Sequence, residues 1–217
     1  MNRNILIAIV GVLAIGLGAF VLTGTSPEPV SPLNAQTAEA SEIDTSGVKE
    51  MFIGDENAPI TLIEYASFTC PHCATFHKNV FKDLKKDYVD TGKVKFVFRE
   101  VYFDRYGLWA GMVARCDDGA RYFGITDLIF ENQRDWAQGE PAQIAGKLRK
   151  FGKQAGLDDA TLDACMTDGD KAAAMTAVYQ ENAKADGIRS TPSLVINGKL
   201  HENMSYSDLK KILDAEL

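Results

Sequence analysis

The sequence predicts an α/β protein in which a sheet layer is interrupted by a helical subdomain. Three observations carry that prediction. Residues 60–68 (ITLIEYASF) and 93–103 (KVKFVFREVYF) are β-branched and aromatic segments close together in the chain. A hairpin signal lies far downstream, at residues 193–200. The stretch 104–187 between them holds several helical patterns and no convincing strand. Strands split by a helical block suggest such a layered architecture.

The first strand, 60–68, is continuous enough in apolar character to be largely buried, whereas 93–103 alternates clearly. Directly after the first comes Cys70-Pro-His-Cys73, then Phe76, Val80, Phe81, Leu84 and Tyr88 at helical spacing. Pro71 suits the first position of that helix. The charges of residues 82–88 then form its solvated face. Helical patterns recur near residues 108–116, 125–132, 144–151 and 172–185. Trp109, Trp136 and the many Phe residues are expected in the core. Asn197-Gly198 is the strongest two-residue hairpin signal a sequence offers. Ser205 or Ser207 is placed to cap a final helix running towards Leu217.

The amino-terminal region sets the compartment. Residues 5–22 are 18 consecutive positions without a charge or strong polar group, preceded by Arg3. As a helix they would span about 27 Å, close to the hydrocarbon thickness of a bilayer. The run exceeds the usual apolar core of a signal peptide, although Ala38-Glu39-Ala40 resembles a cleavage site. Residues 1–25 are therefore expected to be a signal peptide or a membrane anchor, and export follows from either. Residues 26–46, rich in Ser, Thr, Pro, Ala and Glu, are expected to be a flexible linker. The folded part is then 47–217, with its helical insertion at 104–187. A net charge of −7 excludes a basic field for nucleic acid.

The chemistry concentrates at Cys70 and Cys73. A thiolate at a helix start meets unpaired N–H groups and the positive end of the helix dipole, which lowers its pKa. Cys70 is expected to be the exposed, exchanging thiol and Cys73, one turn in, the buried resolving one. His72 between them is placed to donate a hydrogen bond or positive charge to Cys70. A structural zinc site would want a second close-spaced ligand pair, and Cys116 and Cys165 stand 49 residues apart. No metal is expected. In an exported protein those two cysteines would form a second disulfide, confined to the insert, worth about 4 kcal/mol by chain-entropy arguments.

The strand, the Cys70-Pro-His-Cys73 start of a helix and the downstream block Gly187-Ile-Arg-Ser-Thr-Pro-Ser-Leu-Val-Ile-Asn-Gly198 together resemble the DsbA family of thiol:disulfide oxidoreductases. The likeness covers about residues 48–217. It implies a thioredoxin-like fold with an inserted helical subdomain, Cys70 as nucleophile and no cofactor. It implies reduced exported proteins as substrates, a DsbB-like membrane oxidase as partner, a periplasmic location and a monomer. The same resemblance makes Thr191–Pro192 a cis peptide bond beside the cysteines, and Pro71, Thr191 and Pro192 substrate-facing positions. Glu64, a carboxylate inside an apolar strand, would be a proton acceptor buried beneath Cys73, with Arg99 or Lys95 as its partner; the bland alternative is a strand-edge residue with its head in water. Rival activities are a disulfide isomerase or reductase, or a peptide-binding holdase without turnover.

Overall fold

A computed structural model describes residues 43–217. The expected leader or anchor (1–25), its apolar run 5–22 and most of the expected linker lie outside the described residues. Among the described residues no helix is long and apolar enough to cross a membrane.

Among the described residues, five strands form one sheet in the order β1-β3-β2-β4-β5. They are β1 (Met51–Ile53), β2 (Ile60–Ala66), β3 (Val94–Glu100), β4 (Ser193–Ile196) and β5 (Lys199–Glu202). β2 and β3 are parallel, with Ile60 opposite Val94 and Ala66 opposite Glu100. The remaining pairs are antiparallel. Parallel strands need a long crossover, and the helical stretch after Cys70 supplies it. It begins as α1 (Pro71–Phe76), widens into π turns at His77–Phe81 and Lys85–Val89, and keeps a short α segment, α2 (Lys82–Leu84), between them. Cys73, Phe76, Val80, Phe81, Leu84 and Tyr88 are buried along it, as their spacing predicts.

The insert consists of α3 (Arg105–Ala114), α4 (Tyr122–Glu131), α5 (Gln133–Trp136), α6 (Pro141–Gln154), α7 (Asp159–Thr167) and α8 (Gly169–Ala185). The final helix is α9 (Tyr206–Glu216), capped by Ser205, whose hydroxyl accepts from the Asp208 N–H. Asn197 and Gly198 both take positive φ, 46° and 80°, the turn that two-residue hairpins prefer. The main core joins β2, β3, the crossover helix, α9 and the insert through residues such as Leu62, Phe96, Trp136 and Leu213. On the opposite face of β2, Tyr65 packs with Val101 and Val195, flanked by Tyr179 and Ala183 of α8.

The fold is thioredoxin-like with an inserted helical region, as expected, and several details differ. β1 lies outside both anticipated strands; three residues hold too little alternation to signal themselves, and their pairing with Phe96–Phe98 of β3 makes the strand. The second strand stops at Glu100 rather than residue 103, and Phe103 is exposed. Two helices, α5 and α7, lie outside the helical patterns the sequence shows. Trp136 is fully buried, but Trp109 is only partly so, edge-on to Tyr106.

Candidate active site

β2 delivers the chain into a turn at residues 67–70, and Cys70 is the N-cap of α1 with Pro71 in the first turn. Cys70 N–H donates to the Ser67 carbonyl at 3.1 Å, and the Cys70 carbonyl accepts from Cys73 N–H and Ala74 N–H at 3.1 and 3.2 Å. This closes the first helical turn and leaves the Cys70 sulfur at the helix mouth. The sulfur lies 3.4 Å from the Thr191 carbonyl, in the loop that carries the cis Thr191–Pro192 bond. Both cysteines are free thiols in this structure, Cys70 half-buried and Cys73 buried.

The two thiols are pushed apart electrostatically. The Cys73 thiol, hydrogen-bonded to the Cys70 sulfur, is the largest influence drawing Cys70 down to about 5; burial opposes it, and Thr191 with the N–H groups of Cys73 and His72 assists. Cys73 is driven strongly the other way, first by its own burial, then by its hydrogen bond to Cys70 and the nearby carboxylate of Glu64. One sulfur is thus held as thiolate at neutral pH, and the other as thiol.

Glu64 sits in the middle of β2, between Phe98 of β3 and Leu194 of β4. It shares its face of the strand with Leu62 and Ala66, which belong to the main core with Cys73. Glu64 is 1% exposed, and its Oε1 has no hydrogen-bond partner among the described residues. Burial first, and charge on Cys70 second, raise it to about 8, so the carboxyl is protonated at neutral pH.

The thioredoxin family model matches residues 46–215. A Rickettsia prowazekii protein named as a protein-disulfide oxidoreductase is 31% identical, over 91% of this chain and 71% of its own length. Disulfide bond formation protein D of Bacillus subtilis is 27% identical, over 76% of each chain. The crystal structure of Wolbachia pipientis alpha-DsbA1 superposes with a TM-score of 0.70 at 27% identity, covering 77% of this chain and 90% of that one. The chain belongs to the DsbA-like thiol:disulfide oxidoreductases of the thioredoxin family.

Within this DsbA-like site, Cys70, Cys73, Glu64 and Thr191 come together around the mouth of α1. His72 is exposed, and what it contributes to Cys70 is its backbone N–H rather than its imidazole. Pro71 is exposed, whereas Pro192 is buried. The expected partners of Glu64 are elsewhere. Arg99 lies on the strand position opposite Tyr65 and binds Glu50, Asp186 and the Tyr65 hydroxyl; Lys95 lies over the Phe52 ring. Strand periodicity explains the miss, because neighbours one residue out of phase face the other side of the sheet. The strand-edge alternative for Glu64 fails too, since β2 is the central strand.

Cys116, just past α3, and Cys165 of α7 are joined as a disulfide with Cα atoms 5.7 Å apart. Two residues that sequence reasoning passed over, Asp104 and Gln133, also reach the turn at residues 67–70. Asp104 Oδ2 accepts from Thr69 Oγ1 at 2.7 Å, and Gln133 Nε2 donates to the carbonyls of Phe68 and Cys70, both at 2.8 Å. Neither stands in a motif; both meet the turn only through tertiary packing.

Proposed function

We propose that this chain is an exported dithiol oxidase, which passes a Cys70–Cys73 disulfide to reduced proteins beyond the inner membrane. The observation that carries the reading is the opposed pair of thiol affinities, with Cys70 drawn to about 5 while Cys73 is raised. A substrate thiolate attacks the Cys70 sulfur, the Cys70–Cys73 bond breaks, and a mixed disulfide forms at Cys70. The leaving Cys73 sulfur takes a proton, and Glu64, protonated at neutral pH, is the group beneath it that can supply one. The second substrate thiolate then attacks its own bonded sulfur and releases Cys70 as a stabilised thiolate. Two electrons leave the substrate, which keeps the new disulfide, and the enzyme ends as the dithiol.

A stabilised thiolate favours the reduced enzyme and so makes its disulfide a stronger oxidant. The Thr191 backbone is positioned to pair with an extended substrate segment beside Cys70, a short case of strand addition. Pro192, next to Thr191, is buried, and Pro71 is exposed in the first turn of α1. A DsbB-like membrane oxidase would restore the disulfide. Residues 5–22 would direct export, as a cleaved leader or as an inner-membrane tether, and Cys116–Cys165 would hold the insert without turning over.

The test is the equilibrium of Cys70/Cys73 with glutathione, combined with oxidation of a reduced, unfolded disulfide protein. An oxidising potential and loss of activity in Cys70→Ser are expected. A potential near that of thioredoxin would overturn the oxidase reading in favour of a reductase, and catalysis only of scrambled disulfides would favour an isomerase.

A further inference from the structure

The thioredoxin-like part of the molecule carries both reacting sulfurs, yet one of the tightest polar anchors of their turn comes from the helical insert. We propose that Gln133 is a positioning residue for Cys70, whose side-chain amide fixes the turn from which the Cys70 sulfur meets its hydrogen-bond donors. This rests on the oxidase reading, in which Cys70 accepts and releases the substrate sulfur.

The stoichiometry of the contact is complete. The amide nitrogen of Gln133 has two hydrogens and two acceptors, the Phe68 and Cys70 carbonyls, each 2.8 Å away. Those carbonyls flank Thr69, so a single side chain spans the last residues before the helix. Gln133 is 6% exposed, leaving little access for water to replace it. Chemistry restricts what could stand in its place. Glu would set acceptor oxygens against two carbonyls, and Met would fill the space while donating nothing.

The anchor is itself held firmly. Gln133 opens α5, whose last residue Trp136 is fully buried and donates its indole N–H to the Ile129 carbonyl of α4 at 2.8 Å. The Gln133 carbonyl accepts from Ala137 N–H at 3.0 Å. At the other end, the Cys70 carbonyl already accepts the N–H groups of Cys73 and Ala74, so Gln133 adds a third donor where the first turn of α1 closes. Release of this clamp lets residues 68–70 relax. The Cys70 sulfur then drifts from the N–H groups of His72 and Cys73 that hold its thiolate. The insert is thereby a fixed reference frame for the reacting sulfur.

The experiment uses the full chain with Gln133→Met and Gln133→Glu. Iodoacetamide reactivity of Cys70 is followed against pH, the glutathione equilibrium is measured, and thermal unfolding is recorded for oxidised and reduced forms. The Cys70 midpoint is expected to rise by about one pH unit in Gln133→Met and further in Gln133→Glu. The enzyme disulfide should become a weaker oxidant by about tenfold in its glutathione equilibrium constant, equivalent to about 30 mV. The stability difference between reduced and oxidised forms should shrink. A purely structural residue would lower both unfolding temperatures equally and leave midpoint and equilibrium unmoved; that result overturns the proposal. Should Gln133→Met fail to fold, Gln133→Asn, too short to reach both carbonyls, is expected to give a smaller rise, and an unmoved midpoint there overturns it equally. An ordinary thiol midpoint in the unsubstituted protein would instead overturn the oxidase reading, which separates the two failures.

Discussion

The hydroxyl of Thr69 donates to the carboxylate of Asp104, so the residue before Cys70 is tied to the cap of the first inserted helix. Asp104 also accepts from the N–H groups of Tyr106 and Gly107, at 2.8 and 2.9 Å, satisfying two of the donors that a helix start leaves open. One carboxylate therefore serves both the helix and the active-site turn.

Replacing Asp104 by Ala should destabilise the protein by about 1–2 kcal/mol, the usual range for a lost helix cap. Denaturant unfolding of oxidised protein measures it; Asp104→Asn, which retains the cap acceptor, should recover most of the loss.

The depressed Cys70 thiol makes the reduced protein's stability depend on pH. Its folded value is about 5 against an ordinary 9.0. A lowered pKa contributes stability that is complete above the unfolded value and is lost as pH falls through the folded one. Reduced protein should thus gain unfolding temperature relative to oxidised protein from about pH 5 to pH 9, because the oxidised form has no thiol to titrate there while both forms carry Glu64. Parallel pH series of both forms check this; identical curves would contradict it.

Glu64 works in the opposite sense. A folded value raised from 4.5 to about 8 means that stability present below pH 4.5 is progressively lost up to pH 8. Glu64→Gln removes that loss and should be more stable at pH 7 by a few kcal/mol, on the order of the shift itself. It should also slow exchange at Cys73, by about a hundredfold if Glu64 handles the proton. Stopped-flow oxidation of a thiol substrate beside urea unfolding would reveal a gain in stability coupled to a loss in rate.

The second disulfide should matter to stability and not to redox chemistry. Cys116→Ser with Cys165→Ser is expected to cost about 2–4 kcal/mol on denaturant unfolding while the Cys70/Cys73 glutathione equilibrium stays within twofold. Mass mapping of the unsubstituted protein should find Cys116 and Cys165 linked.

What could be read from the sequence was what is written locally. Pro71 behind Cys70, the positive-φ pair Asn197-Gly198 and the buried spacing from Phe76 to Tyr88 each state their own structure. Glu64 announced itself as a carboxylate in an apolar strand, but its surroundings depend on which face of β2 it occupies and on what packs there. The partner inferred from the adjacent strand, Arg99, faces Tyr65 and Asp186 instead. β1 has three residues and exists because β3 offers it an edge. Gln133 and Asp104 are ordinary polar residues in helical sequence, and their importance arises only when the insert folds back on the turn at residues 67–70.

The Cys116–Cys165 bond also changes the topology of the insert. Every residue from 117 to 164, Gln133 among them, lies within a closed covalent ring. A single protease cut anywhere in that ring, such as at the exposed surface around residues 138–140, leaves one molecule instead of two fragments. The nicked protein migrates intact on a non-reducing gel and separates only when reductant opens the ring.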